Sequence, residues 1–227
     1  MCGRFVQSAN VDVLIAVFGI EGGQRPNAPA RYNIGPTQSA LAVRFNPQTR
    51  QRQLDPLSFG LVPLWAKDRS RAASLMNARG ESLREKPTFR EAFAQRRCLI
   101  PADAFYEWQG EGRQKQPYAV RPAQSDGLFA FAGIWDRWRD PASREIHRSF
   151  AIVTTGANSL LAPLHERMPV ILPPDAWPLW LGETDGDAQA LIRSYPPASM
   201  RAYPVGHAVG NVANDDASLL EPERLLA

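Results

Sequence analysis

The sequence is short of the residues that hold metals and bridges. Of 227 residues only two are cysteine, Cys2 and Cys98, and three are histidine, His147, His165 and His207. They form no Cys-x-x-Cys pair and no zinc-ligand spacing, which argues against a structural metal or a disulfide framework. No run approaches the roughly 18 apolar residues of a membrane-spanning helix, and the amino terminus lacks the charged-then-apolar pattern of a secretory signal. The expectation is a cytoplasmic protein with reduced thiols, no membrane partner and no cofactor. There is no internal repeat, no low-complexity tract and no flexible linker, so one domain is expected. Net charge is only +3, from 26 Lys and Arg against 23 Asp and Glu. A nucleic-acid partner therefore depends on local clustering of charge and is not required by the total.

What is present supports a packed core. Hydrophobic residues make up 44% of the chain, enough for one large domain. Ser8 reads as the N-cap of a helix with Val11, Leu14, Ile15 and Phe18 on one face and Gly19 as its stop. Pro87 opens a second helix that turns Phe89, Ala92 and Phe93 inward. Asp175 caps a third, which carries Trp177, Trp180 and Leu181 up to Gly182. Strands are expected near residues 1–6, 40–45, 57–65, 98–101, 118–120, 128–132, 149–155 and 200–205. The stretch 31–37 reads as irregular, because Pro36 cannot sit in a central ladder. Strand follows strand with little helix between, which predicts an α+β fold of antiparallel twisted sheets forming a barrel-like core with peripheral helices.

Chemistry concentrates at the first five residues, Met1-Cys2-Gly3-Arg4-Phe5. Once Met1 is removed, Cys2 presents an α-amine and a thiol on adjacent carbons, with ordinary pKa values of roughly 7.7–8.0 and 8.5. Both nucleophilic forms are then within reach of neutral pH. Such a pair condenses with an aldehyde to an imine, which the sulfur closes into a five-membered ring. From these residues alone, Cys2 reads equally as a small residue after the initiator. Glu107, between Tyr106 and Trp108, is either a salt-bridged strand residue or a carboxyl that aromatic burial tunes upward. His165 reads as a core histidine or an acid/base, and Asn77 as a binder of local backbone or a positioning amide. Arg79 and Arg167 read as surface charges or anion contacts, with Glu166 the adjacent partner for Arg167. Cys98 is expected in the core, and His147 and His207 carry no role.

Six segments taken together, in this order, carry more information than any one of them. They are Met1-Cys2-Gly3-Arg4-Phe5, Tyr32-Asn33-Ile34-Gly35-Pro36-Thr37, Gly60-Leu61-Val62-Pro63-Leu64-Trp65, Asn77-Ala78-Arg79-Gly80-Glu81, the run from Arg96 to Trp108, and Leu164-His165-Glu166-Arg167-Met168-Pro169. The combination resembles the SRAP (SOS response-associated peptidase) family over residues 1–222, leaving 223–227 as a tail. Phe59 stands where that family usually has tryptophan, which puts one aromatic contact beside the DNA pocket in question; Gly80 and Ser82 replace the usual alanine and threonine.

The resemblance implies a sensor of abasic sites in single-stranded DNA, acting as a monomer and nucleoid-associated when bound. It would form a covalent thiazolidine cross-link through Cys2 after Met1 removal, shielding the lesion during replication-associated repair. Catalytic roles would fall to Cys2, Asn77, Glu107 and His165. Glu107 would move protons, His165 would be a second acid/base, and Asn77 would orient Cys2 or the sugar. DNA would be held by Arg4, Pro36, Trp65, Arg79, Trp108 and Arg167. Strand cleavage by β-elimination and self-removal of Met1 are further activities the resemblance allows. Two other classes stay open: an N-terminal-nucleophile amidohydrolase using Cys2, and a non-covalent single-stranded DNA-binding module in which Cys2 is incidental.

Overall fold

The protein is described by a computed structural model over residues 2–110, 112, 115–124 and 127–223. Met1, whose removal the sequence leads one to expect, and residues 224–227 of the expected tail lie outside the described residues.

Among the described residues twelve strands and three short helices follow one another as β1 (Arg4–Gln7), α1 (Val11–Phe18), β2 (Arg31–Ile34), β3 (Ser39–Asn46), β4 (Gln51–Phe59), β5 (Asn77–Arg79), α2 (Arg90–Gln95), β6 (Arg97–Ala102), β7 (Ala104–Gln109), β8 (Gln116–Pro122), β9 (Phe129–Arg139), β10 (Ile146–Gly156), β11 (Arg167–Pro169), α3 (Trp177–Leu181) and β12 (Met200–Pro204). One sheet of five strands runs β12-β8-β7-β1-β2, with every neighbour antiparallel. In the other, β10-β4-β3-β6-β9 close into a five-stranded barrel because β9 also pairs with β10. The α+β, barrel-centred fold is as the sequence predicts, with one difference. β10 runs parallel to β4 and to β5, since those strands come from distant parts of the chain and no hairpin fixes their direction.

Alternation along the barrel strands explains where the core lies. Ala40, Ala42, Leu57 and Phe59 face a cluster shared with Phe5 and Phe105 of the five-stranded sheet. Leu41, Val43 and Leu54 face the opposite cluster, beneath Leu14 and Phe18 of α1, Phe93 of α2 and Trp180 of α3. The two sheets are locked by aromatic contacts. Phe5 meets Phe59 edge-on at 5.4 Å, and Phe59 stacks on Phe150 at 5.1 Å. Each fully buried phenylalanine contributes about 1.5–3 kcal/mol through removal of apolar surface from water.

Several local expectations shift. The N-cap of α1 is Asn10, whose Oδ1 accepts the Val13 N–H at 2.9 Å. Ser8 lies two residues earlier, in the loop that the Asp103 carboxylate holds by the Ser8 and Ala9 N–H groups at 2.7 and 3.2 Å. Residues 31–34 are a strand, with Ile34 across from Phe5; only the stretch after Ile34 is irregular, so Pro36 is excluded from the ladder as argued. The strand expected over 57–65 is Gln51–Phe59 instead, ending at Gly60. Gly60 has φ 116°, and a Cβ there would lie 2.5 Å from the Ala72 carbonyl oxygen. Asp175 does not cap α3. It lies inside a 3-10 turn, Pro174–Ala176, that precedes the helix, and Gly182 ends α3 at φ 83°.

Candidate functional site

Cys2 enters the site because β1 is pinned to β7. Arg4 pairs with Tyr106 and Phe5 with Phe105, so residues 3 and 2 run on along β7 toward Glu107 and Trp108. The Cys2 side chain is fully buried. Burial pushes its thiol well above the ordinary range, and the charge of the Glu107 carboxyl pushes it further. The thiolate that the free-amino-acid value promises near neutral pH is therefore not available without a base.

Glu107 is the carboxyl whose charge acts on that thiol. It is 3% exposed, and burial among its neighbours raises its carboxyl to about 7. A carboxyl at that value is divided between acid and base at neutral pH, as proton transfer in both directions requires.

Asn77 opens β5, which lies parallel to β10 with Asn77 beside Ile152. Its Nδ2 donates to the Cys2 carbonyl oxygen at 3.1 Å. Oδ1, at the other end of the amide, is buried with no hydrogen-bond partner among the described residues, a position suited to an incoming N–H or O–H group. His165 is half-buried, and burial lowers its pKa. Its Nδ1 accepts the Arg167 backbone N–H at 2.9 Å, which places the proton of the neutral ring on Nε2. Cys2, Asn77 and Glu107 are thus joined by a hydrogen bond and by charge. For His165 the link is indirect: its neighbour Leu164 and Asn77's neighbour Met76 both pack on the cluster that contains Cys2.

The six residues matched to DNA contacts are differently placed. Trp65 is 63% exposed, Arg79 is exposed at the end of β5, and Pro36 is half-buried. Trp108 is half-buried and packs beside Tyr106. Arg4 is committed to the fold, donating to Asn33 Oδ1 and the Val209 oxygen at 3.0 Å each and to the Gly210 oxygen at 3.4 Å. Arg167 is paired with Glu81, not with the adjacent Glu166. Its two terminal nitrogens reach the Glu81 carboxylate at 2.7 and 2.8 Å, and one also meets the Thr154 oxygen at 2.8 Å. Phe59 is fully buried in the ring cluster, so its substitution for tryptophan bears on the core and not on a DNA contact.

Two residues that carry the site's frame were given no role from sequence. Asn33 is fully buried, and its Nδ2 donates to the carbonyls of Val209, Asn211 and Asn214 at 3.1, 3.1 and 2.9 Å. Asp215 accepts the Asn33 N–H at 2.9 Å and pairs with Arg31. Together they strap residues 207–220 across β2 and, through Arg4, against the amino terminus. The only available signal was the tract around Asn33 among the shared segments. A cavity of about 700 Å³ lined by Gln7, Arg25, Leu41 and Pro56 contains none of the candidate residues. Among the described residues no helix is long and apolar enough to cross a membrane.

Comparison with known proteins bears on the whole chain. The family model for SOS response associated peptidase (SRAP) matches residues 1–212. The chain is 38% identical over 230 residues to the abasic site processing protein YoqW of Bacillus subtilis (strain 168), covering 97% of this chain and 99% of that one. It is 31% identical to the abasic site processing protein YedK of Escherichia coli (strain K12), covering 98% and 100%. A crystal structure of a protein from Bacteroides thetaiotaomicron superposes with a TM-score of 0.85 at 26% identity, covering 98% of this chain and all of the other. The chain belongs to the SOS response associated peptidase (SRAP) family.

Proposed function

We propose that this protein processes abasic sites in single-stranded DNA by capturing them covalently through Cys2. The observation that carries the reading is a cysteine at the second residue whose carbonyl is held by Asn77 at 3.1 Å and whose thiol lies in the field of a carboxyl poised at about 7. The names of the relatives, abasic site processing proteins, agree with it.

With Met1 removed, the α-amine nitrogen of Cys2 attacks the aldehyde carbon of the ring-opened sugar, and water leaves to give an imine. The sulfur then adds to the imine carbon while the thiol proton passes to the nitrogen, closing a thiazolidine. Glu107 takes that proton and returns it, a role its elevated pKa suits and an ordinary surface glutamate would fill poorly. Asn77 fixes the Cys2 backbone and offers Oδ1 to the sugar. Neutral His165 presents Nε2–H as a donor to the departing hydroxyl and takes a proton back on reversal. The imine also acidifies the neighbouring sugar carbon, so β-elimination competes until the sulfur closes the ring.

Arg4, Arg79 and Arg167 supply positive potential along the strand, and Pro36, Trp65 and Trp108 supply apolar and stacking surface. The protein acts as a monomer in the cytoplasm and on the nucleoid, and the family domain ends near Pro222, which bridges back to Val205. Mixing with an oligonucleotide bearing one abasic site, followed by heat and denaturing electrophoresis, tests the reading. The native protein gives a shifted band, and Cys2→Ala gives none while strand cleavage by the amine persists. A heat-stable adduct from Cys2→Ala would exclude the thiazolidine.

A further inference from the structure

Three side chains from two adjacent strands grip the backbone of residues 62–66 at every second residue. Ser149 Oγ accepts the Val62 N–H at 2.8 Å, Asp136 Oδ2 accepts the Leu64 N–H at 2.9 Å, and Trp138 Nε1–H donates to the Ala66 oxygen at 2.7 Å. They share one face of the β9–β10 pair, where Ser149 is across from Asp136 and Trp138 across from His147. All three are buried. Asp136 is itself fixed by the Arg137 N–H at 2.7 Å and by the Arg96 guanidinium at 3.2 Å. The segment also closes on itself, with the Ala66 N–H on the Pro63 oxygen at 2.9 Å.

Val62 and Ala66 pack with Trp138 and Ala72 in a small core cluster, but the two residues at the turn between them face out. Leu64 and Trp65 are among the exposed large apolar residues, at 48% and 63%. Polar groups that fasten the backbone on both sides of a solvent-facing indole also remove freedom the indole would otherwise lose on binding. The charge around it fits one kind of partner. Lys67, Arg69 and Arg71 follow directly and are all exposed, with the single carboxylate Asp68 among them, so a flat aromatic ring is followed by a stretch of net positive charge, as a base beside its phosphates requires. The position fits as well. The Leu61 N–H bonds the Leu75 oxygen at 3.1 Å, and Leu75 lies two residues before Asn77, a span of at most about 7 Å of chain.

We propose that Ser149, Asp136 and Trp138 are positioning residues that hold residues 62–66 as a pre-formed shelf, on which Trp65 stacks against an unpaired base flanking the abasic sugar. This rests on the reading that the protein binds single-stranded DNA. An abasic sugar has no base of its own, so stacking on the strand has to use a neighbour, and an indole does so without reading sequence.

The test is a double-mutant cycle on non-covalent binding of an intact single-stranded oligonucleotide, so that it stands apart from any cross-linking chemistry. Trp65→Ala weakens binding by about 5- to 150-fold, the range for one base stack. Trp138→Phe keeps the ring in the core, removes the Nε1–H donor, and weakens binding by about 2- to 12-fold, the range for one unfastened side chain. Because Trp138 acts through Trp65, the double variant binds no more weakly than Trp65→Ala alone. The slope of affinity against salt stays unchanged in Trp138→Phe, since no phosphate contact is lost. Ser149→Ala gives the same cycle if Trp138→Phe does not fold. Additive losses, an altered salt slope, or full affinity in both strap variants would overturn the proposal. Failure to cross-link abasic DNA with this cycle intact would instead overturn the covalent reading alone.

Discussion

Replacing Glu107 by glutamine separates a carboxyl tuned by burial from one that merely lies in a strand. Burial raises Glu107 from 4.5 for a free glutamate to about 7. Because the folded value lies above the unfolded one, folding favours the protonated acid. That contribution is complete below about pH 4.5 and is lost as pH rises through about 7. At roughly 1.36 kcal/mol for each pH unit between the two values, the loss approaches about 3 kcal/mol. Glutamine has the shape of the protonated acid and never ionises. At pH 5 the variant therefore matches the native protein, whereas at pH 8.5 it is more stable by up to about 3 kcal/mol. A domain of this size moves about 2–4 °C per kcal/mol, so the gain in Tm is about 6–12 °C. In the same preparation, cross-linking by native protein rises with pH through about 7 as the carboxylate forms, and the glutamine variant is slower by about 10²–10⁴-fold. Thermal melts at the two pH values and a time course of adduct formation read both effects. An equal difference in Tm at pH 5 and pH 8.5 would refute the reasoning, because the carboxyl would then not be raised.

Other predictions follow from single contacts. Glu81 holds both terminal nitrogens of Arg167, where it would compete with a phosphate under the proposed function. Glu81→Gln should tighten binding of intact single-stranded DNA and steepen its salt slope by about 0.7, the value for one more phosphate on a single strand; weaker binding in a fluorescence titration would mean that Glu81 orients the arginine instead. Phe59 meets the Phe5 and Phe150 rings, so Phe59→Leu should cost about 1–3 kcal/mol in urea denaturation at about 0.5–1.5 per aromatic pair, with DNA affinity unchanged. Asn33→Ala removes hydrogen bonds to three carbonyls and to Arg4. At roughly 1 kcal/mol each that is about 4 kcal/mol, and limited proteolysis should then cut between residues 207 and 215 first.

The elements that sequence made legible were those with local causes. The stop of α1 at Gly19, the inward Phe89 and Phe93, and the aromatic, β-branched runs of β8 to β10 each follow from a few adjacent residues. Legibility failed where a distant group decided the outcome. The Asp103 carboxylate holds the Ser8 and Ala9 N–H groups in the loop before α1, and the helix starts later, at the Asn10 cap. Asp215 and β1 turn residues 31–34 into a strand. The parallel register of β10 with β4 and β5 depends on barrel closure, which no short pattern encodes. At the candidate site, Cys2, Asn77 and Glu107 were readable by chemical type, and the structure adds the direct link between Asn77 and Cys2. The thiol is the main revision. A free-cysteine pKa suggested ready nucleophilicity, but full burial and the charge of Glu107 push the thiol up. The Arg167 partner was misjudged for the same kind of reason, since β5 and β11 both flank β10 and bring Glu81 closer than the adjacent Glu166.

The central claim is that Cys2, freed of Met1, closes a thiazolidine on an abasic aldehyde. Intact-mass spectrometry of the purified protein before and after mixing with an abasic single-stranded oligonucleotide tests it most directly. The starting mass should lack one methionine. The adduct should equal protein plus oligonucleotide minus one water and be unchanged by heat and by borohydride. Retained methionine, no adduct, or an adduct that gains two hydrogens on borohydride treatment, as an open imine does, would contradict it.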